Sequence, residues 1–299
     1  MSVLAALISM PAWSEPADFA TPQDALEAMI KGLRATDHSA ILEVFGADAE
    51  DYLSDGDPVE DRINRLALLA LYAEGYRFVP QEDGSVVIAL GEDGWLFPVP
   101  IARSESGTRS FDNDAGREEV RLREIGFNEI DVIELLEAYV GIQSDFRKVD
   151  HDDDGVREFA RRIISSSAEK RDGLFWVGED TPLGERFARS SIAGFSDGEA
   201  DYEPEPFVGY YFRLLTEQTD AAPGGAMSYL VNDKMVAGHA MIAFPAEFGE
   251  TGIHSFMVAE NGIILETVLD EEALAAAGDM TAYDPTDDWT PVETDAFGN

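Results

Sequence analysis

The sequence contains no cysteine. A structural disulfide, a thiol nucleophile, a Cys-ligated zinc site and a lipidated amino-terminal cysteine are therefore excluded. Basic residues are scarce as well: 21 Lys and Arg stand against 60 Asp and Glu, a formal net charge of -39. Such a surface repels nucleic-acid phosphates and anionic lipid headgroups, so neither nucleic acid nor a membrane surface is an expected partner. Cations and basic proteins suit it better, although acidity alone also serves solubility. No stretch beyond the first residues approaches the roughly 20 apolar residues of a membrane span. There is no G-x-S-x-G elbow around a serine. The four histidines, His38, His151, His239 and His254, show no metal-ligand spacing such as H-E-x-x-H.

What is present is enough for two cores. The 299 residues are 45% hydrophobic, and domains of roughly 150 residues suggest two of them. The first fourteen residues read as a secretory signal. Val3 to Ala12 is a short apolar run, and Ala12-Trp13-Ser14 places small residues before a cut ahead of Glu15. No Lys or Arg precedes the run, which leaves a buried helix as the alternative. Export to the periplasm or the exterior is the expectation.

Helices come first. Thr21-Pro22 opens one, with Thr21 as N-cap and Pro22 at the first helical position. Ala25, Leu26, Met29, Ile30 and Leu33 recur on one face. A second is expected from His38 to Phe45, ended by Gly46, and a third from about Pro58 to Ala73. Strand patterns follow at Tyr76 to Val79, Ser85 to Leu90, Trp95 to Ile101 and Thr108 to Phe111, separated by Asp-Gly and Ser-Gly turns. Helices followed by antiparallel strands predict an α+β lobe over 20–125, with an element order analogous to the cone-shaped NTF2-like fold. A second α+β lobe is expected over 126–290. Its long helix, Glu129 to Lys148, follows a partly helical stretch from Ala115 to Asn128. It packs Val132, Leu135, Leu136, Tyr139, Ile142 and Phe146 on one face, with another helix to about Ile164. A loop over Phe195 to Pro206 precedes a run of strands with hairpin turns at Asn232-Asp233 and Asn261-Gly262. Beyond about Thr281 the chain reads as loosely held, and 291–299 as a loose tail.

The sharpest chemical signal is Asp150-x-Asp152-x-Asp154-Gly155. Alternating aspartates in a tight loop converge oxygens on one hard cation. Gly155 permits the turn, Val156 offers a backbone carbonyl, and Glu158 falls at the ninth position. Calcium suits such an all-oxygen set. Arg161 stands at the twelfth position, where an EF-hand has a bidentate Glu. The competing reading is a solvated acidic turn in which Asp154 caps the next helix. His239 and His254 fall on candidate neighbouring strands and either meet in space or are separate core or edge histidines; His151 is expected to be exposed. Ala222-Pro223-Gly224-Gly225-Ala226 lacks a following helix and reads as a tight connection rather than a phosphate loop. Pro98 and Pro100 mark the Trp95 to Pro100 segment as an edge.

Several segments together resemble the bacterial DUF2950 family. They include Thr21-Pro22-Gln-Asp-Ala25, Gly91-Glu-Asp-Gly-Trp95 with Phe97-Pro98-Val-Pro100, and Phe111 to Glu119. Ile125 to Glu129, Asp150 to Ala160, Lys170 to Leu174, Gly209 to Thr216, Ala222 to Ala226 and Phe244 to Gly249 extend the resemblance. It implies an exported protein with no assigned reaction. The long helix, the Asp loop and the Gly209-Tyr-Tyr sheet are also similar to the head of pilin-like proteins. Here, though, the helix is internal, whereas a pilin stem begins the mature chain. The reading that combines these signals is a periplasmic or secreted scaffold or binding protein without catalytic activity, calcium-stabilised through Asp150, Asp152, Asp154, Val156 and Glu158. Its partner would be an envelope protein or polymer. The alternative is a cell-envelope hydrolase with a carboxylate-based site in a cleft between the lobes.

Overall fold

A computed structural model describes residues 15–35, 38–54, 56–167, 170–192, 195–196 and 201–293. The proposed export segment, 1–14, and the last residues of the tail, 294–299, lie outside the described residues. The class is α+β, with helices beside predominantly antiparallel sheets. The backbone separates into two compact units between Arg123 and Glu124.

The first unit begins with α1 (Pro22–Arg34). Thr21 Oγ1 accepts from the Asp24 N–H at 3.2 Å, which satisfies one of the amide donors that every helix start leaves open. Ala25, Leu26, Met29 and Ile30 form the buried stripe. Next come α2 (Ser39–Phe45), a 3₁₀ turn, and α3 (Glu50–Leu53). Gly46, at φ 90°, stops α2. Then α4 (Pro58–Glu74) is capped by the Asp57 side chain and ended by Gly75. The sheet comprises β1 (Tyr76–Pro80), β2 (Val86–Leu90), β3 (Trp95–Leu96), β4 (Ile101–Arg103) and β5 (Arg109–Phe111). Its order is β1-β2-β4-β5, with β3 also paired to β2. The single strand expected from Trp95 to Ile101 is broken in two. Pro98 and Pro100 carry no N–H for a ladder, and Val99 between them is fully buried. Phe45, Phe97 and Phe111 lie at the centre of this core, with Phe45 stacked on Phe111 at 4.2 Å.

One helix, α5 (Asn113–Phe146), replaces the expected partial helix and its successor. Glu118–Arg121 and Glu119–Arg123 pairs at helical spacing support its charged opening turns, so the polar stretch does not interrupt it. The second unit continues with β6 (Arg162–Ile164), β7 (Gly173–Phe175), α6 (Glu185–Arg189), β8 (Phe195–Ser196) and β9 (Asp201–Tyr202). Then follow β10 (Tyr210–Leu215), β11 (Glu217–Gln218), β12 (Met227–Ser228), β13 (Leu230–Val231) and β14 (Lys234–Met235). The last elements are β15 (Ala240–Pro245), β16 (Ser255–Ala259), β17 (Ile264–Thr267), α7 (Glu271–Ala277), β18 (Ala282–Tyr283) and β19 (Thr290–Pro291).

The main sheet runs β10-β15-β16-β17-β19, and all neighbours are antiparallel. Every residue of β15 and β16 is buried, because both faces are covered. Alternation assigns the faces. Met241 and Ala243 join Val132, Leu136 and Tyr139 of α5 in one core. Ala240, Ile242 and Phe244 join Tyr229, Met235 and Tyr283 in another. Asn232 and Asp233 both take positive φ, 51° and 66°, as the two-residue turn between β13 and β14 demands.

Three expectations are corrected here. No helix runs to Ile164: residues 156–161 form no helix and lead into β6. Their backbone groups bond laterally instead, Phe159 N–H to Met235 O at 2.8 Å and Ala160 N–H to Gln143 Oε1 at 2.9 Å. The loop expected over Phe195 to Pro206 contains the short pair β8 and β9. The chain beyond Thr281 is tied in by β18 and β19, and the Val292 N–H reaches Ile264 O at 3.0 Å. Trp289 packs on the second core of this unit, which is how a polar tail comes to be held.

Candidate functional site

The acidic loop follows the end of α5. Asp150 Oδ2 accepts the Gly155 N–H at 2.8 Å across the turn. Gly155 takes φ 88° and Asp153 φ 57°, a left-handed geometry that glycine and aspartate tolerate. The Val156 N–H is bonded to Asp154 Oδ1 at 2.8 Å, so Asp154 closes a local turn rather than capping a helix. These bonds bring the carboxylates of Asp150, Asp152 and Asp154 within 4.8 Å of one another. Among the described residues, no other set of three His, Asp or Glu side chains converges this closely. Asp150 Oδ1 is buried and has no hydrogen-bond partner, although unsatisfied buried polar atoms are rare and costly.

The centre of the loop receives a side chain that the sequence pattern did not single out. Lys234, on β14, places Nζ 2.6 Å from Asp152 Oδ2, 2.6 Å from Asp154 Oδ2 and 2.8 Å from Glu158 Oε1. The other Glu158 oxygen accepts the Met235 N–H at 3.0 Å. Partial desolvation works against the charge on Lys234, but its hydrogen bonds to Asp152, Asp154 and Glu158 outweigh that and hold its pKa above the usual lysine value. The hydrogen bond from Lys234, reinforced by the Val156 N–H, holds the Asp154 carboxyl below its ordinary range. Arg161 points elsewhere: its guanidinium lies 2.8 Å from Asp233 and 3.4 Å from Asp172. The tip of the β13–β14 hairpin is thus held to the loop side by two adjacent residues. The arrangement is a seat of carboxylates, with Asp152, Asp154 and Glu158 around the Lys234 ammonium and Asp150 beside them.

The histidines do not assemble a site. His239 and His254 precede β15 and β16, and Ala240 pairs with Ala259 while Ala243 pairs with Phe256. This antiparallel register puts the two histidines at opposite ends of the strand pair. His239 is buried, with Nδ1 3.1 Å from Tyr139 Oη. Burial, with Arg147 nearby, lowers its pKa to about 4, so it is neutral and polar within a core. Gln143 extends this network, bonding Tyr139 Oη and both backbone groups of Ala160. His254 meets Glu129, whose carboxylate also accepts the Ile253 and His254 N–H groups. His151 is half-buried rather than exposed, and stacks on Phe146 at 4.0 Å. Among the described residues no Asp or Glu is fully buried. The Ala222–Ala226 loop closes on itself, with Gln218 donating to Pro223 O and Gly225 O.

A family model described as "Protein of unknown function (DUF2950)" matches residues 17–292. The chain belongs to the DUF2950 family. The match includes all five residues expected to ligate a cation in this DUF2950 protein, and Lys234 with them. Comparison with curated proteins and with solved structures returns no match. Among the described residues, no helix is long and apolar enough to cross a membrane.

Proposed function

We propose that this DUF2950 protein is an exported scaffold or binding protein, periplasmic or secreted, without catalytic activity, and that its acidic loop takes calcium as a structural brace. The observation that carries the reading is the unpartnered, buried Asp150 Oδ1 beside three carboxylates that already converge on one positive charge. An ammonium cannot serve every oxygen of the seat, since it offers three donors, and Asp152, Asp154 and Glu158 use them. Calcium takes six to eight oxygens. It would draw on Asp150, Asp152, Asp154, Glu158 and the Val156 carbonyl, and it would displace Lys234 towards solvent. Bound there, calcium would brace the loop that follows α5 upon itself, a structural task rather than a chemical one.

The test is thermal melting of the purified protein during calcium titration, with Asp152→Ala and Lys234→Met beside it. At a calcium concentration about 100 times Kd, binding to the native state adds about 2.7 kcal/mol, a rise of roughly 4 °C for a chain of this size. The rise is absent in Asp152→Ala. No rise in the parent or in Lys234→Met would make the loop a lysine-held acidic turn and remove calcium from the account.

A further inference from the structure

The first unit contains an apolar cavity of about 620 Å³. Met29, Ile41, Phe45 and Phe97 contribute to one side, and Leu68 and Leu71 of α4 to the other. Its volume falls in the range of small-molecule sites, roughly 300–1,000 Å³, and it opens to solvent on one side. The wall formed by α4 is unusual: none of its 17 residues is fully buried, and Leu68 and Leu71 are only half-buried. A helix with this many leucines normally gains its stability from packing an apolar face. Here part of that face borders the cavity.

The polar part of the lining is selective. Arg62 and Arg65 both border the cavity, in a chain where acids outnumber bases 60 to 21. Among the described residues no ion pair engages either guanidinium. Arg65 Nη1 lies 3.5 Å from Ala35 O, at the limit of a hydrogen bond. Asp61 also borders the cavity, but its Oδ2 accepts the Ser54 hydroxyl at 2.7 Å. Guanidinium forks match carboxylate geometry. The surrounding negative field repels an anion in proportion to its charge, which favours a monoanion over a phosphate dianion.

We infer that this cavity binds a single-chain amphiphilic carboxylate, its hydrocarbon chain between α4 and the Phe45–Phe97 side and its head at Arg62 and Arg65. The site is independent of the acidic loop. The test is calorimetric titration with dodecanoate below its micelle concentration, with dodecanol as the neutral control. One dodecanoate binds per chain. An Arg62→Gln, Arg65→Gln double variant binds dodecanoate at least tenfold more weakly and binds dodecanol as the parent does. Leu68→Trp, which fills the cavity, weakens both ligands. Circular dichroism establishes that each variant is folded, and the arginine variant, altered only at polar positions, decides the matter if Leu68→Trp is not. Absence of dodecanoate binding to the parent overturns the inference. So does equal binding of dodecanoate by the parent and the arginine variant, or undiminished binding by folded Leu68→Trp.

Discussion

Replacing Lys234 with Met removes the ammonium that sits among the carboxylates of the acidic loop and leaves them facing each other. The size of the effect follows from the setting. Lys234 is 23% exposed and Glu158 16%, between a surface pair worth about 0–1 kcal/mol and a fully buried one that costs about 3–5 kcal/mol to break. A loss of about 1–3 kcal/mol in calcium-free buffer is expected, or roughly 2–5 °C in Tm for a chain of this length. The same number sets the calcium response. The seat is competent only when Lys234 has left it, so apparent affinity in the parent is reduced by the fraction of time the seat is free. At about 1.4 kcal/mol per factor of ten, removing a competitor worth about 1–3 kcal/mol tightens calcium binding about 5- to 150-fold. Differential scanning fluorimetry with and without calcium reads both effects. Lys234→Met should melt lower than the parent without calcium and gain more from its addition. Were Lys234→Met as stable as the parent in calcium-free buffer, the ammonium would contribute nothing and the derivation would fail. A calcium gain no larger in the variant than in the parent would refute the competition argument.

Other consequences lie outside the loop. His239 is held neutral with a pKa of about 4 against an ordinary 6.5, so the unfolded chain takes up its proton first as pH falls. Its contribution is full above pH 6.5 and is lost progressively as pH falls towards 4, about 2 kcal/mol of it by pH 5. Urea melts should show this slope in the parent and a flatter one in His239→Gln. Gln143→Leu strips both backbone groups of Ala160 and the Tyr139 hydroxyl of a partner. The Tyr139 hydroxyl keeps His239, so at about 1–3 kcal/mol for each of the two orphaned Ala160 groups a loss of about 2–6 kcal/mol is expected in equilibrium unfolding. Gly209 takes φ 75°, and an added Cβ would lie 2.8 Å from Thr251 Cβ. Gly209→Ala should cost about 2–4 kcal/mol from left-handed strain and overpacking together; an unchanged midpoint would contradict the packing.

What the sequence disclosed was local. Thr21-Pro22 announces a helix start because proline and a capping oxygen suit a helix's first turn. Gly46 ends a helix, and Asn232-Asp233 turns a hairpin, because they accept positive φ. The aspartate spacing revealed the loop for the same reason, since a turn is a property of neighbouring residues. What escaped depends on partners distant in the chain. Lys234 reaches Asp152 across 82 positions and Glu158 across 76, and nothing in the spacing around either partner points to the other. The non-helical path after Gly155 was hidden because its donors are satisfied by Met235 and Gln143, which removes the incentive to coil. The separation of His239 from His254 rests on strand register, and a hydrophobic alternation that is buried on both faces leaves register unmarked. The cavity beneath α4 was equally invisible, because leucines at helical spacing look the same whether their partner is a side chain or a space.

The central claim is that the loop from Asp150 to Glu158 binds calcium against the competition of Lys234. Isothermal titration of calcium into the metal-free parent, Lys234→Met and Asp152→Ala tests it most directly. The account predicts one site per chain in the parent, a tighter site in Lys234→Met, and none in Asp152→Ala. Heat of binding absent from both the parent and Lys234→Met, or retained unchanged in Asp152→Ala, would contradict it.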